Sequence, residues 1–476
     1  MFLLTNGKVW TGDAARPFAD AVAIDGNRIV AVGEAPAGLS ARLMDLRGRM
    51  VVPGFIDNHT HFVDGGLQLS RVQLRDASTP HEFARRIAAH AAALRAGKWI
   101  LGGSWDQTLW SPPALPTRQL IDDVTPDHPV FVSRLDIHMS LANSLALRLA
   151  GVTRETPDPP GGTIVRDAHG EPTGILKDTA QVFVQRVIPP PSHDERVAAA
   201  RAGLKEAARF GVTAFCDMLS DGAVYRDLDL TARVTCFAPI FEAAGAAPGV
   251  KGFADGSLGS STAAFFKPYT DDATNRGLTM PEMTDGRMKA AVAEAAARGL
   301  QIAVHAIGDR ANDEVLKIYE SMSGARERRV RIEHAQHLSP SLIQRFARAG
   351  VIASMQPHHA VDDGRWMTSR IGPERAGWAY AFRALLDAGV TVTFGSDWPV
   401  APLDPLAGVA AAAGRGVTFD EALRCYTVNN AYAIFREHEI GRIAPGLLAD
   451  LVILSEDRTC VDFTIFDGRT IYERRL

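Results

Sequence analysis

From residue 194 to residue 397 the chain repeats one rhythm: a short apolar run, a turn, and an amphipathic run closed by glycine. Apolar runs such as VTAF, QIAV and VTVTF predict strands over 211–218, 233–240, 250–255, 300–308, 329–336, 350–357 and 390–397. Helical patterns occupy 194–210, 284–298, 310–321, 340–349 and 373–388. Gly211, Gly299, Gly350 and Gly389 each end a helix just before a strand, where left-handed backbone is needed. Strands apolar on both faces suit a parallel sheet covered on both sides by helices. With one more strand within 51–61 the count is eight, which predicts an α/β fold, a closed (β/α)8 TIM barrel. An open doubly wound sheet is the alternative, but no G-x-G-x-x-G turn follows any of these strands. The connection 240–250 is short for a full helix, so that unit is expected to be degenerate.

The flanks read differently. Residues 1–50 and the tail from 440 are short strands punctuated by Asn6-Gly7, Asp25-Gly26-Asn27, Pro445-Gly446 and Asp467-Gly468. In the tail, strands are expected at 441–443, 450–454, 464–466 and 470–473. The two ends, 1–50 plus 440–476, are expected to combine into a small β-sandwich beside a barrel over 51–439. After the first strand the rhythm breaks, and 65–193 is expected to be an insertion subdomain closed by the stiff linker Pro189-Pro190-Pro191. Its Trp105, Asp106, Trp110 and His138 are candidates to line a pocket; ordinary packing is the simpler reading of each.

In a barrel the reactive groups sit at the C-terminal ends of the strands. The run VVPGFIDNHTH ends in His59 and His61, two apart and so on one face of a strand. Their imidazoles can meet at one point, as a borderline cation such as zinc requires. His305, His334 and Asp397 fall at the ends of the fifth, sixth and eighth strands. Fourteen histidines scattered over 476 residues would seldom gather so, and a metal site is expected. Each residue also has a bland reading as a strand-end cap or a turn former. His337, His358 and His359 lie near the same ends and are expected to support the ligands or face substrate, with a purely structural role as the alternative.

Several function classes are excluded on composition. A net charge of −4 argues against a partner bound through phosphates. No stretch approaches the ~18 apolar residues of a membrane span, and the apolar run in MFLLTNGKVW is too short for a signal-peptide core. Four cysteines without a C-x-x-C pair suit reduced thiols, so a cytoplasmic location is expected.

The segments PGFIDNHTHF, HAIGD, RIEHAQH, FGSDWPV and APGLLADLVIL resemble the metal-dependent amidohydrolase superfamily. GGSWDQTLW, SLANSLAL, GEPTGIL, VKGFADGSLGSSTA, HAIGDRAND, MQPHH and AYAFRALLDAGV are similar to its YtcJ-like branch, which includes N-substituted formamide deformylase. The resemblance implies a (β/α)8 barrel with a β-sandwich built from both termini. It also implies a divalent metal, one or two per chain, on His59, His61, His305, His334 and Asp397. Lys251 matches the place where related members carry a carboxylated lysine bridging two metals. Two divalent ions bring four positive charges, of which a carbamate, one aspartate and a hydroxide neutralise three, whereas an unmodified ammonium there would be repelled. A one-metal site would use His59, His61, His305 and Asp397, leaving His334 to bond water or substrate. The family commonly has arginine where this chain has Ser261, which weakens inference of the substrate from relatives.

The expected reaction is hydrolysis of an amide-type C–N bond in a small molecule by a metal-activated water, with Asp397 moving the proton. An N-substituted formamide or an N-acyl compound is the expected substrate class. Asp255 and Ser257, just past the fourth strand, are expected near substrate together with Trp105, Asp106, His138 and His358. One rival is a deaminase of an amino-heterocycle with a mononuclear site; another is a non-catalytic metal-binding regulatory protein. The expected partner is a small-molecule substrate, with no nucleic acid and no membrane; a homo-oligomer is left open.

Overall fold

A computed structural model describes residues 2–33, 42–134, 139–159, 162–220, 222–242 and 247–475. The chain forms two compact units, Met1–Gly65 with Ala200–Leu476, and Gly66–Ala199.

The first unit is built on eight parallel strands: β1 (Phe55–Thr60), β2 (Val212–Met218), β3 (Arg233–Pro239), β4 (Gly249–Phe253), β5 (Gln301–Ala306), β6 (Arg331–His334), β7 (Ile352–Met355) and β8 (Val392–Phe394). Each pairs with its neighbours in chain order. A parallel bridge between Thr60 and Trp398 joins the last strand to the first. The sequence produces this ring because apolar runs let the strands be covered on both faces: every residue of β2 and β5 is buried. Local signals fix the ends of the helices between them. Before β7, the Ser339 hydroxyl accepts from the Leu342 N–H, Pro340 fills the first turn of Pro340–Ala349, and Gly350 stops the helix at φ 66°. Among the described residues no helix lies between β3 and β4.

Three sequence expectations change. The helix expected over 373–388 is broken: Met367–Ala376 is itself interrupted at Gly372, φ 76°, and Phe382–Asp387 is separate. The chain is drawn out between them because Tyr380, at φ 53°, donates its N–H to Gln336 O and Ala379 bridges His337. The helix expected over 284–298 divides at Gly286, φ 85°, into Pro281–Thr284 and Arg287–Ala297. The segment 441–443 is not a strand: Gly441, at φ 89°, turns the backbone against Thr427 and Ala431.

The two chain ends form two sheets in this unit. One has six strands, with Lys8–Trp10, Phe18–Ala19 and Met50–Pro53 joined to Leu451–Leu454, Val461–Phe466 and Arg469–Glu473. The other has four, Phe2–Thr5, Val22–Asp25, Arg28–Val32 and Arg42–Asp45. They share a core that includes Leu4, Ile24, Val51, Leu451 and Ile465, which makes them a sandwich.

The second unit has its own six-stranded mixed sheet and its own core. That core takes Trp105 out of the pocket-lining role expected of it. Trp105 is fully buried beside Phe83, and its indole N–H donates to Val132 O at 2.9 Å. Trp110 is buried likewise, with its N–H on Ala77 O. Both aromatics satisfy their one polar group inside the unit, which is what a core tryptophan requires.

Candidate metal centre

The ends of the barrel strands converge. His59 lies within β1 and His61 just beyond it; Lys251 is in β4, His305 in β5, His334 closes β6, and Asp397 lies just past β8. His334 and Asp397 both adopt left-handed backbone, φ 71° and 60°. Such strain in non-glycine residues persists only where the surroundings over-determine it. Here they do. The Asp397 N–H donates to His59 O at 2.7 Å. The Asp57 carboxylate accepts from the Ser396 N–H at 2.9 Å and the His59 N–H at 3.1 Å, pinning the turn before Asp397 to β1. Gly395 permits that approach, because a Cβ there would sit 2.6 Å from His59 N.

Asp397 Oδ1 is 3.4 Å from His59 Nε2 and 3.5 Å from His61 Nε2. Ligand atoms of His59, His334 and Asp397 all lie within 4.8 Å of one another. The His305 and His334 rings are 4.5 Å apart between centroids, and Lys251 Nζ is 3.4 Å from His59 Nε2.

The second nitrogen of each key imidazole decides its chemistry. His59 Nδ1 faces the Glu333 carboxylate, which can only accept, so Nδ1 carries the proton and Nε2 a lone pair. His334 Nδ1 faces Gln356 Oε1 at 2.7 Å, with the same result. Burial, then Lys251, push His59 well below its usual pKa; burial and the neighbouring imidazoles do so for His334. Burial and Lys251 bring His61 down to about 4. These are neutral imidazoles. A lone pair aimed at a carboxylate oxygen is repulsive unless a proton or a cation lies between them. Asp397 Oδ1 is buried and has no hydrogen-bond partner among the described residues. The donor set of neutral imidazoles and carboxylate therefore fits a divalent cation. Burial also brings Asp397 up to about 7 and Lys251 down to about 8, each toward its uncharged form.

Behind His59 lies a buried charged network. Glu333 and Arg331 are fully buried and paired with each other. Ser354 Oγ donates to Glu333 at 2.8 Å, and Arg331 donates to Asn58 Oδ1 at 2.8 Å. Burial alone would raise the Glu333 pKa; Arg331 and His59 hold it well below the usual carboxylate range. Removing one charge strands the other. Glu333→Gln is expected to cost about 3 kcal/mol of stability, read from denaturant midpoints. It should also weaken metal retention about 10- to 100-fold in a chelator competition, since His59 loses the carboxylate that orients it. Wild-type values for both would show that the network holds nothing.

The other residues singled out from sequence fare unevenly. Asp255 is buried, and its carboxylate accepts the N–H groups of Ala264, Ile307 and Gly308 at 2.8–3.0 Å. Its lone pairs hold the loops after β4 and β5, so the structure gives it a positioning task where contact with substrate was expected. Ser257 is exposed, with its hydroxyl 2.8 Å from that of Ser260. Asp106 pairs with Arg134 at 3.3 Å inside the second unit. His138 lies outside the described residues. His358 sits on the helix Pro357–Asp363 after β7, and its Nε2 is buried without a partner among the described residues. Sequence reasoning missed Asp57, Glu333 and Gln356, whose roles run between strands. The one available signal was position: each lies one or two residues from a strand-end histidine or at a strand end itself.

The Amidohydrolase family matches residues 42–472. The chain is 38% identical to the protein LONG AFTER FAR-RED 3 of Arabidopsis thaliana over 508 residues, covering 95% of this chain and 87% of that protein. It is 31% identical to YtcJ of Bacillus subtilis (strain 168), with 90% of each covered. It is 28% identical to N-substituted formamide deformylase of Arthrobacter pascens, over 96% of this chain and 93% of that one. Among solved structures, an uncharacterized metal-dependent hydrolase of Pyrococcus furiosus aligns with a TM-score of 0.79 at 27% identity, covering 96% of this chain and 99% of that chain.

Proposed function

The chain belongs to the amidohydrolase family as a metal-dependent hydrolase of non-peptide carbon–nitrogen bonds, and from that membership we propose that it cleaves a small linear amide, an N-substituted formamide or N-acyl compound. The observation that carries the mechanism is the buried Asp397 Oδ1, unpartnered among the described residues and faced by two imidazole nitrogens at 3.4 and 3.5 Å. His59, His61, Lys251, His305, His334 and Asp397 would hold one or two divalent ions, zinc by ligand type. When bound, the metal acidifies water and polarises the scissile carbonyl.

The chain's own groups supply the rest. Asp397, brought up to about 7, takes the proton of the attacking water and returns it to the leaving nitrogen. Glu333 and Gln356 fix the tautomers of His59 and His334. Burial moves Lys251 toward the free amine, the form that adds carbon dioxide to become a carbamate. The similarity to N-substituted formamide deformylase supports the substrate class. We read residues 51–439 as the catalytic barrel, 1–50 with 440–476 as its sandwich, and 65–193 as an insertion subdomain. Among the described residues no helix is long and apolar enough to cross a membrane, and none of the four cysteines is in a disulfide. The unbridged thiols support the cytoplasmic location that this reading proposes. An amide panel with product analysis tests it: a carboxylate plus an amine is expected, whereas ammonia released from a ring would favour the heterocycle deaminase, and no turnover by metal-replete protein would favour a regulatory role.

Metal loading should weaken as pH falls through 7. Asp397 keeps its proton up to about 7, and a protonated carboxyl is not a ligand. Below that pH each ion bound must displace the proton, lowering affinity by up to about tenfold per pH unit. Lys251, an ammonium below about 8, adds to the slope if it too must lose a proton. His61, at about 4, is already neutral and adds nothing near pH 6. Calorimetric metal titration at pH 6 in two buffers of different ionisation heat should show proton release; a proton-neutral titration would remove Asp397 and Lys251 from the ligand set.

A further inference from the structure

Strand β7 lies between β6 and β8, both of which lead into proposed metal ligands, yet it brings none of those expected from sequence. It leads into Gln356, Pro357, His358 and His359, where unmatched polar atoms gather. Gln356 is 1% exposed and its Oε1 is taken by His334 Nδ1, while its Nε2 has no partner among the described residues. His359 Nε2 is also buried with no hydrogen-bond partner among the described residues; it lies 3.9 Å from Asp397 Oδ2, with its ring within 12° of parallel to that of His334 at 6.2 Å. Buried polar groups without partners are rare, and each calls for an explanation. A cation between the imidazoles and Asp397 accounts for Asp397 Oδ1. It does not account for Gln356 Nε2, because an amide nitrogen only donates and so calls for an acceptor oxygen.

We propose that Gln356 and His359 are catalytic residues that donate hydrogen bonds to the acyl oxygen of the substrate amide; the assignment rests on the hydrolysis proposed above. As the water oxygen bonds to the carbonyl carbon, the carbonyl π pair moves onto the acyl oxygen, where fixed donors bind it more strongly than in the ground state. That pair then re-forms the carbonyl as the C–N bond breaks, and the nitrogen leaves with the proton carried by Asp397. His358 also has an unmatched Nε2, but among the described residues no hydrogen bond, ion pair or ring contact links it to the ligand set, and it is left out of the proposal.

Two variants separate this role from support of His334. Gln356→Glu keeps an oxygen to accept from His334 Nδ1 and replaces the N–H donors. His359→Ala leaves Gln356 intact. Each is expected to lower kcat about 100-fold with metal content, by mass spectrometry, at the wild-type level. Each should also weaken binding of acetate, a carboxylate probe, to the metal-loaded protein by at least about tenfold, read by calorimetry. Unchanged kcat and acetate affinity in both variants overturn the proposal. So does metal loss in Gln356→Glu with a wild-type His359→Ala, which reduces Gln356 to a holder of His334. Should wild-type protein hydrolyse no amide while both variants lose acetate binding, the acceptor subsite stands and the reaction proposed above fails.

Discussion

Asp397→Asn is expected to lower kcat by about 10³-fold or more while the folded protein keeps its metal. The substitution is nearly isosteric and retains an oxygen for the cation. Its backbone is safe, since asparagine tolerates the left-handed region as readily as aspartate, and the bond from the residue 397 N–H to His59 O involves no side-chain atom. What is lost is a base. An amide cannot take the proton of water or return it to nitrogen. A second readout needs no substrate. In the metal-free protein Asp397 stands at about 7, above the unfolded value of roughly 3.9, so the fold favours its protonated form. Its contribution to stability is present at low pH and is lost as pH rises from the unfolded value to about 7. The asparagine variant should lack that slope in denaturation midpoints taken across pH 4–7. A kcat within about tenfold of wild type, with metal bound, would remove Asp397 as proton carrier.

The barrel was legible because several strands are apolar runs, such as VTAF, QIAV and VTVTF, and Gly211, Gly299, Gly350 and Gly389 turn the chain with positive φ before a strand, so local pattern and global fold agree. The strand-end residues were legible for a related reason: a period of two and the C-terminal rule place side chains without knowledge of their neighbours. The structure does bring His59, His61, Lys251, His305, His334 and Asp397 together. Partnerships across strands were not legible. Glu333 meets His59 from 274 positions away, and nothing in RIEH says which imidazole its carboxylate will hold. Asp255 carries the same functional group as Asp397 and also follows a strand, yet three backbone N–H groups consume it. Trp105 misled for the same reason: whether an aromatic lines a cleft or fills a core depends on tertiary packing, which its neighbours in GGSWDQTLW do not encode.

Lys251→Ala is expected to lower both metal content and kcat, the latter by at least about 100-fold, with partial rescue by added formate, acetate or propionate. The lysine is 1% exposed and stands 3.4 Å from His59 Nε2. As an ammonium there it could donate to His59, but it would oppose any cation brought near the same nitrogen. Burial already pushes it toward the free amine, in spite of the attraction of Glu333 and Asp397. A carbamate on that amine would turn a repelling group into an anionic oxygen donor, which the neutral imidazoles cannot supply. Alanine deletes the anion and leaves space that a short carboxylate can fill, so rescue should follow the size of the acid and fail with bulky ones. An amide of the same size, such as acetamide, should not rescue, because it lacks the charge. Metal stoichiometry unchanged in Lys251→Ala would exclude a bridge through this residue. Equal rescue by acetate and acetamide would assign the residue a space-filling role.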